Sequence, residues 1–394
     1  MEILRNEYMS VGKRVDVSWL SPEIAGQVRR FHQKVPGYAP TPLRRLTELA
    51  QAVEVGALLV KDESGRFGLN AFKGLGGVYA LTLAAGKLLG LSQEEITFPL
   101  LCAPENRQRL KDITFATATD GNHGKGVAWA AGLLGCPSFV YMPKGSSPRR
   151  AQAIREAGRA QVTITEWGYD ETVAYVSALA RKRGWVLMQD TSWPGYEEVP
   201  RHIMQGYTTM VDEALAQMDG EAPTHVFLQA GVGAMAGAVT GYLAARYGEK
   251  LPKIILVEPY EAACIFASVK AGDGIPRGAE GNGETIMAGL NCGQPCTVAW
   301  PILRDYSAYA LACGDDAARR GMRVLKEYGI VSGESGASAF GTFLELMEVP
   351  QYRAQLGIQG DSRILFFSTE GDTDPESYQK ITNEKSGRSA AESE

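Results

Sequence analysis

The stretch NAFKGLGG, residues 70–77, places Lys73 between a predicted strand at Ala57–Lys61 and a predicted helix at Lys73–Leu89. Apolar Phe72 precedes the lysine, and the small residues after it let the backbone approach another group closely. A lysine in such a place loses hydration, which favours the neutral amine that forms imines. An isolated lysine in the first turn of a helix is more often a surface residue, so the interpretation depends on this context.

The strand and helix around residues 70–77 form one of several such pairs along the 394-residue chain. Their alternation is typical of α/β proteins with mainly parallel, twisted sheets flanked by helices. Such sheets bind ligands at the carboxyl ends of their strands, and the length of the chain favours two lobes. Further strands are predicted at Thr114–Thr119, Ser138–Met142, Gln161–Thr165, Val186–Gln189, His225–Ala230, Lys253–Glu258 and Arg363–Thr369, with helices between most of them.

A second candidate loop, TDGNHGKG at residues 119–126, lies between a predicted strand and a predicted helix. At the carboxyl end of its strand, this loop would direct Asp120 and the Asn122 amide into a cleft. An Asp or Asn cap on the following helix explains the same residues without any function. The loop alone therefore does not decide between the two interpretations.

A third segment, GVGAMAG at residues 231–237, follows the predicted strand HVFLQA. Backbone amides of a glycine-rich turn that leads into a helix bind phosphate well. The pattern also fits a dinucleotide fold, in which Glu258 at the end of the next strand would bind a ribose. However, the G-x-G-x-x-x-G spacing departs from that fold, and close packing of a helix on a sheet is a third explanation.

A fourth segment, FFSTEGDTD at residues 366–374, brings hydroxyls and acids to the end of a predicted strand. A hydroxyl there, from Ser368 or Thr369, would be able to hydrogen-bond a heterocyclic nitrogen. A polar turn explains the pattern equally well when the segment is taken alone.

The composition argues against several classes of protein. A net charge of -5 disfavours binding to nucleic acid or anionic membranes, and no apolar run approaches the roughly 20 residues that span a bilayer. The first residues lack a secretory signal, so we expect a cytoplasmic protein. The four histidines and six cysteines show no metal-ligand spacing, and we expect no catalytic metal. A disulfide between Cys264 and Cys292, which flank a glycine-rich loop, is a hypothesis that a reducing compartment opposes.

Together these segments resemble the fold-type II pyridoxal-phosphate (PLP) enzymes, the superfamily of the tryptophan synthase β-subunit and threonine dehydratase. Within it, the chain is similar to the diaminopropionate ammonia-lyases. The resemblance covers nearly the whole chain. It rests on runs such as KDESGRFGLNAFKGLGG (61–77), TATDGNHG (117–124), QDTSWPGYEE (189–198), LQAGVGAMAG (228–237) and STEGDTDPE (368–376).

The resemblance implies a role for each matching position. Lys73 matches the lysine that carries PLP as a Schiff base, and Asn122 matches the asparagine that hydrogen-bonds the pyridoxal hydroxyl. Asp120 stands where hydroxy-amino-acid dehydratases usually carry serine, which favours the diaminopropionate enzymes, and Asp190 is a second candidate acid. The implied cofactor-binding residues are Phe72, Lys73, Asn122, Gly231, Val232, Gly233, Ala234, Met235, Ala288, Gly289, and Ser368 or Thr369.

The resemblance also implies α,β-elimination of 2,3-diaminopropionate, as the D- or the L-isomer, to pyruvate and two ammonia molecules. It implies a homodimer whose large PLP-binding domain comprises residues 1–78 and 198–394, with a small domain at 79–197 inserted in it. We expect an amino acid as substrate and no nucleic-acid or membrane partner. The alternatives are a serine/threonine dehydratase or another β-eliminase, a NAD-dependent oxidoreductase built on residues 231–237 and Glu258, and a non-catalytic cofactor-binding protein.

Overall fold

A computed structural model of the protein describes residues 1–10, 14–119 and 121–384, and the predicted site residue Asp120 lies outside these ranges. The described chain forms two β-sheets, each covered by helices on both faces. The strands are β1 (Glu2–Arg5), β2 (Leu43–Arg45), β3 (Ala57–Asp62), β4 (Phe115–Ala118), β5 (Ser138–Met142), β6 (Gln161–Ile164), β7 (Val186–Leu187), β8 (His225–Gln229), β9 (Lys253–Pro259), β10 (Tyr309–Cys313) and β11 (Arg363–Ser368).

Most of the remaining chain is helical, and several helices begin directly after a strand and a short loop. The helices are α1 (Pro22–His32), α2 (Thr47–Ala52), α3 (Gly74–Leu88), α4 (Phe98–Leu101), α5 (Pro104–Leu110), α6 (Asn122–Leu134), α7 (Pro148–Gly158), α8 (Tyr169–Arg183), α9 (Glu198–Ala216), α10 (Ala234–Tyr247), α11 (Cys264–Ala271), α12 (Trp300–Tyr306), α13 (Asp315–Glu327), α14 (Glu334–Met347), α15 (Pro350–Leu356) and α16 (Pro375–Asn383).

The larger sheet has the strand order β1-β10-β9-β8-β11-β3-β2. Its inner strands pair in parallel, whereas the edge strands β1 and β2 pair antiparallel to their neighbours. The strands β8, β11 and β3 are therefore adjacent, and their carboxyl ends meet at one edge. Because α/β sheets bind ligands at that edge, the strand order brings together three segments that lie far apart in the sequence.

Side chains of the inner strands alternate between two apolar layers, as expected for parallel strands covered on both faces. Leu59 of β3 packs into the layer that includes α9 and α10, whereas Leu58 and Val60 pack with α13 and α14. Every residue of β3 is buried. The larger sheet is thus the middle of three layers, and the loops at its carboxyl edge start from rigid elements.

The smaller sheet is parallel throughout, in the order β6-β5-β4-β7. Apolar side chains of α6 and α7 cover one face, and α8 packs on the other through Val176. Because β4 and β7 are neighbours, the loop that begins at Thr119 lies beside the segment that follows Leu187.

The predicted α/β fold class is confirmed, and each predicted strand is present with ends that differ by at most two residues. The strands β1, β2 and β10 are not among the predictions. The strand β2 has only three residues, and β10 (YALAC) contains alanines of low strand propensity. Parallel pairing with β9 makes β10 a strand, and such long-range pairing is not visible in a local pattern.

The division into domains remains a proposal. All strands of the smaller sheet lie within residues 79–197, and all strands of the larger sheet lie outside them. This distribution supports a small domain inserted between residues 78 and 198.

Candidate active site

The segment that carries Lys73 is tied to the segment after β11 by backbone hydrogen bonds. The Phe72 amide donates to the Thr369 carbonyl at 3.0 Å, and the Gly371 amide donates to the Asn70 carbonyl at 3.0 Å. Asn70 takes a left-handed conformation with φ 60°, which Asn tolerates better than most residues. The parallel neighbours β3 and β11 thus place Lys73 and Thr369 at one end of the sheet.

Helix α6 approaches the backbone of Lys73 closely. A Cβ atom added to Gly126 would lie 3.1 Å from the carbonyl carbon and oxygen of Lys73, so a glycine is needed at this crossing. The contact places the first turn of α6, with Asn122 and His123, next to the lysine. Two glycine motifs that are separate in the sequence therefore meet at one site.

The Lys73 ammonium is paired with the Asp190 carboxylate, which follows β7. The Nζ atom donates to Oδ2, and the lysine side chain is 20% exposed and the aspartate side chain 7%. Burial acts to raise the pKa of Asp190, but His123 and Lys73 outweigh it and lower the pKa to about 2. Asp190 is therefore an ionised partner of the lysine at neutral pH.

The glycine turn after β8 forms a cradle at the amino end of α10. Gly233 has φ +90°, a left-handed conformation that favours glycine, and an added Cβ would lie 2.8 Å from Leu303 Cδ1. An added Cβ at Gly231 would lie 3.1 Å from Leu290 Cα. The predicted residues Gly231, Val232, Gly233, Ala234 and Met235 all line the same cleft as Lys73, where the start of a 14-residue helix favours an anion.

The two candidate hydroxyls after β11 have different surroundings. Thr369 lines the cleft, and its Oγ1 accepts a hydrogen bond from Gln229 Nε2 at 2.9 Å. Because that oxygen is already an acceptor, its own hydrogen remains available to an acceptor in the cleft. Ser368 instead donates to Ser332 Oγ at 2.8 Å and is not among the residues that line the cleft.

A series of hydrogen bonds orients the side chain of Asn122. Its Nδ2 donates to Glu370 Oε2, and the other carboxylate oxygen of Glu370 accepts from the Ser335 amide at 3.1 Å. The Ser335 hydroxyl accepts from the Gly289 amide at 3.0 Å. These contacts fix the asparagine and the 288–290 turn against the start of α14. Gly289 lines the cleft, whereas Ala288 lines a different pocket.

The structure therefore brings most of the predicted site residues into one cleft. The predicted residues that line this cleft are Phe72, Lys73, Asn122, Asp190, residues 231–235, Gly289 and Thr369. Ser368 and Ala288 do not line it, and Asp120 lies outside the described residues. The sequence interpretation assigned no site role to the following lining residues: Thr119, Tyr169, Gln229, Ala230, Ala236, Cys292, Ser335 and Glu370. Glu370 directly follows Thr369, and Gln229 lies two residues before Gly231, so closeness in sequence to predicted site segments was the available signal for both.

The dinucleotide alternative does not agree with the position of Glu258. Its side chain is completely buried, and its two oxygens accept from the Ile265 amide at 2.9 Å and the Phe266 amide at 2.6 Å. Burial raises the pKa of Glu258 to about 8. The acid caps the first turn of α11 and is not accessible to a ribose, so the interpretation of Glu258 as a ribose-binding acid is wrong.

The hypothesis of a disulfide between Cys264 and Cys292 is not supported, since both residues are thiols in the structure. Within residues 1–10, 14–119 and 121–384, no group of three or more His, Cys, Asp or Glu side chains is arranged to hold a metal ion. Among these same residues, no helix is both long and apolar enough to cross a membrane.

Comparison with known proteins gives the class of this site. A model of the family described as pyridoxal-phosphate dependent enzyme matches residues 35–370, and the chain therefore belongs to this family. The cofactor is PLP, as the resemblance implies. The cleft fits it, because it offers an amine at Lys73, a glycine cradle that any Cβ would fill, and the Thr369 hydroxyl.

Individual relatives narrow the class. The chain is 45% identical over 391 residues to the diaminopropionate ammonia-lyase of Salmonella typhimurium, with 96% of each chain covered. It matches the crystal structure of diaminopropionate ammonia lyase from Escherichia coli in complex with an aminoacrylate-PLP azomethine reaction intermediate, with a TM-score of 0.88, 43% identity and 97% of both chains covered. The complex of that enzyme with D-serine gives the same TM-score, identity and coverage. The predicted resemblance to these lyases is confirmed.

Proposed function

We propose that this protein is a diaminopropionate ammonia-lyase that converts 2,3-diaminopropionate to pyruvate and two ammonia molecules by α,β-elimination. The observation that carries the proposal is the Lys73–Asp190 pair in a cleft whose glycine cradle and Thr369 hydroxyl suit PLP. Similarity over nearly the whole chain to enzymes of that name supports it.

The bound cofactor supplies an electron sink for charge that develops at Cα of an amino acid, while the protein orients the reacting bonds. Lys73 would hold the cofactor through its amine and, once freed, would take the Cα proton of the L-isomer. Thr369, whose oxygen accepts from Gln229, would donate its hydrogen to the pyridine nitrogen of the bound cofactor. A neutral partner such as this hydroxyl would leave that nitrogen unprotonated, which would favour prompt elimination over transamination.

The β-amino group must leave in a protonated form, because an amide anion is a very poor leaving group. A positioned general acid contributes roughly 10²–10⁴-fold to such a step. Asp120 and the freed Lys73 are the candidates for this acid. Asp190 is unsuited to it, because with a pKa of about 2 it carries no proton at neutral pH.

Asp120 is proposed to extend the activity to the D-isomer. Lys73 would approach Cα of the bound amino acid from one side, and we propose that the Asp120 carboxylate approaches it from the other. Serine, the usual residue at this position in the superfamily, is a poor base at neutral pH, and an aspartate is ionised above about pH 4. The match to a D-serine complex of the Escherichia coli enzyme supports a site that admits D-amino acids.

The decisive experiment is pyruvate formation from D- and L-diaminopropionate, serine and threonine, each with the wild type and Asp120→Asn. We expect both diaminopropionate isomers to be the best substrates, and the variant to lose nearly all D-activity while keeping part of the L-activity. Faster turnover of serine or threonine would instead identify a dehydratase. Equal loss of both isomers would make Asp120 a shared acid or a helix cap.

We also infer that the protein acts as a homodimer in the cytoplasm. The family resemblance implies the homodimer, and the cytoplasm is the compartment expected from the sequence. Light scattering of the loaded protein should give a mass twice the 42.5 kDa of the chain. A mass equal to that of one chain would contradict it.

A further inference from the structure

His123 has a ring nitrogen that the proposed mechanism does not use. The imidazole is 2% exposed, and its Nδ1 is buried without a hydrogen-bond partner among the described residues. This atom lies 3.7 Å from Oδ2 of Asp190, the same oxygen that receives Lys73 Nζ. A buried polar atom without a hydrogen bond destabilises the folded state, so its position calls for an explanation.

The opposite side of the ring fixes where the proton of neutral His123 lies. Nε2 is 2.6 Å from the Met188 carbonyl oxygen, and a carbonyl can only accept, so Nε2 carries the hydrogen. Nδ1 of the neutral ring is then a second acceptor that faces an ionised carboxylate. A proton on Nδ1 would make the two atoms a donor and an acceptor, and a small approach from 3.7 Å would then form a hydrogen bond.

The charge on Lys73 helps to keep that proton away. Burial lowers the pKa of His123 most, and the Lys73 ammonium lowers it further, against the opposing effect of Asp190. Two phenols, Tyr196 and Tyr207, also lie near Asp190, and burial raises the pKa of each above its usual value, so they stay neutral. Lys73 is therefore the one charge among these neighbours that changes when its amine reacts.

We propose that His123 is a positioning residue that exchanges a proton with Lys73 through Asp190. One N–H bond of the Lys73 ammonium breaks, the proton passes across Asp190 Oδ2, and an N–H bond forms at His123 Nδ1. The products are a neutral lysine amine and an imidazolium, so no charge is created or lost. The inference rests on the proposed role of Lys73, since only a lysine that must give up its proton needs such a partner.

The exchange explains how the lysine can react without leaving a buried carboxylate unpaired. Removing one partner of a buried ion pair is strongly destabilising, and Asp190 would lose its nearest cation each time Lys73 becomes neutral. With His123 on the same oxygen, the carboxylate keeps a cation in both states. The Nδ1 atom, which has no hydrogen-bond partner among the described residues, is then the atom that receives the proton.

Nuclear magnetic resonance of the histidine side chains tests the coupling directly. The chain has four histidines, so ¹³C- and ¹⁵N-labelled imidazoles of the full-length protein can be assigned by substitution. Removing the lysine charge with Lys73→Met should raise the titration midpoint of His123 by about 1–3 pH units and place a proton on Nδ1. Lys73→Gln, a second neutral replacement, should do the same.

Adding Asp190→Asn to Lys73→Met should return the midpoint of His123 to the wild-type value or below, because the attracting carboxylate is gone. Unchanged resonances of His32, His202 and His225 serve as the check that each variant is folded. An identical midpoint for His123 in the wild type, Lys73→Met and Lys73→Gln would overturn the proposal. This measurement involves no substrate, so it fails independently of the assigned lyase activity.

The pH profile of the loaded enzyme gives the second readout. His123→Gln keeps an N–H for the Met188 carbonyl but cannot hold the exchanged proton, so the acid limb of kcat should move up by about one pH unit. The same substitution at His202, outside the cleft, is the matched control and should leave the profile unchanged. A uniform loss of activity in His123→Gln at every pH would show that the ring is only structural and would overturn the proposal.

Discussion

Lys61 and Lys73 lie on one short segment of the chain, each paired with a carboxylate, yet their surroundings differ in every respect that matters for reactivity. The side chain of Lys61 is 0% exposed, whereas that of Lys73 is 20% exposed and faces the cleft. The comparison separates what a buried lysine does for stability from what it does for chemistry.

All three N–H bonds of Lys61 have fixed partners. Its Nζ donates to the Thr41 carbonyl at 2.6 Å, to Glu213 at 2.8 Å and to Gln217 at 3.0 Å. The same Glu213 also binds Arg66, which in turn binds Glu63. Two cations and two anions are thus enclosed together, and each has hydrogen bonds that make its burial tolerable.

Lys73 differs from Lys61 because its neighbours allow its charge to change. Its carboxylate partner also faces the imidazole of His123, and a glycine cradle and the Thr369 hydroxyl border the same cleft. Burial alone therefore does not make a lysine reactive. A reactive lysine needs a partner that tolerates loss of its charge and an open space where a ligand can meet the amine.

The largest expected effect is on activity, and it falls on Lys73 alone. Lys73→Ala removes the amine that we propose holds the cofactor and takes the proton, so kcat should fall by about 10³-fold or more, with a smaller change in stability. Steady-state kinetics and borohydride reduction of the loaded enzyme measure this. A reduced cofactor mapped to any other lysine of the wild type would remove the assignment.

The matching change at the other lysine should affect stability instead. Lys61→Met leaves Glu213 short of one cation in a sealed site, which should cost about 3–5 kcal/mol of unfolding free energy. Lys87→Met is the control, because Lys87 pairs with Glu198 on the surface, where such a pair contributes about 0–1 kcal/mol. Denaturant unfolding gives both values, and kcat per folded molecule should stay near the wild-type value in each. If Lys61→Met were as stable as Lys87→Met, the enclosed network would not matter for folding.

The two lysines also show how far sequence reasoning reaches. The glycine-rich context predicted that Lys73 lies in a functional cleft, and the structure places it there. Nothing local distinguished Lys61, because its partners Thr41 and Glu213 reach it only after β2, β3 and α9 have packed. The Asp190 contact likewise depends on β7 lying beside β4, and strand order is not written in any single segment.

Local patterns were weakest where one residue type has two common uses. Glu258 stands at the end of a strand, where a ribose-binding acid would stand, but it caps α11. Ser368 and Thr369 are adjacent hydroxyls, and only the strand pleat, which turns them to opposite sides, separates the one that lines the cleft from the one that does not. The hydrogen bonds of Gln229 to Thr369 and of Glu370 to Asn122 become visible only in the folded site.

The glycine turn at residues 231–235 borders the cleft of Lys73 and has no counterpart around Lys61. It allows a test of where the cofactor phosphate binds. In Gly233→Val the new side chain meets Leu303 in the turn that we propose binds the phosphate, and the dissociation constant of PLP should rise by about 10–100-fold. Gly248→Val, at the other end of α10, has a positive φ too but nothing within 4 Å of an added Cβ. It controls for backbone strain. Equal cofactor affinity in the two variants would mean that the phosphate binds elsewhere.

The smallest expected effect concerns the pH dependence of the network around Lys61. Burial acts to raise the pKa of Glu213, but Arg66 and Lys61 outweigh it and lower the pKa to about 2. A carboxyl whose pKa is lower in the folded state contributes stability above its unfolded pKa, and this contribution is lost as the pH falls toward the folded value. The wild type should therefore lose stability between about pH 5 and pH 2 partly through this group.

Lys61→Met should make that loss less steep, although the variant is less stable at neutral pH. With one cation removed and Arg66 still present, the folded pKa of Glu213 rises toward its unfolded value, so fewer protons are taken up on unfolding. From pH 7 to pH 3, the variant should lose about 0.5 kcal/mol less than the wild type, as measured by denaturant unfolding at each pH. Lys87→Met should follow the wild-type slope. A steeper loss of stability with acid in Lys61→Met would mean that Lys61 does not lower the pKa of Glu213. The proposed contrast between Lys61, which stabilises a buried carboxylate, and Lys73, which loses its proton to react, would then be wrong for Lys61.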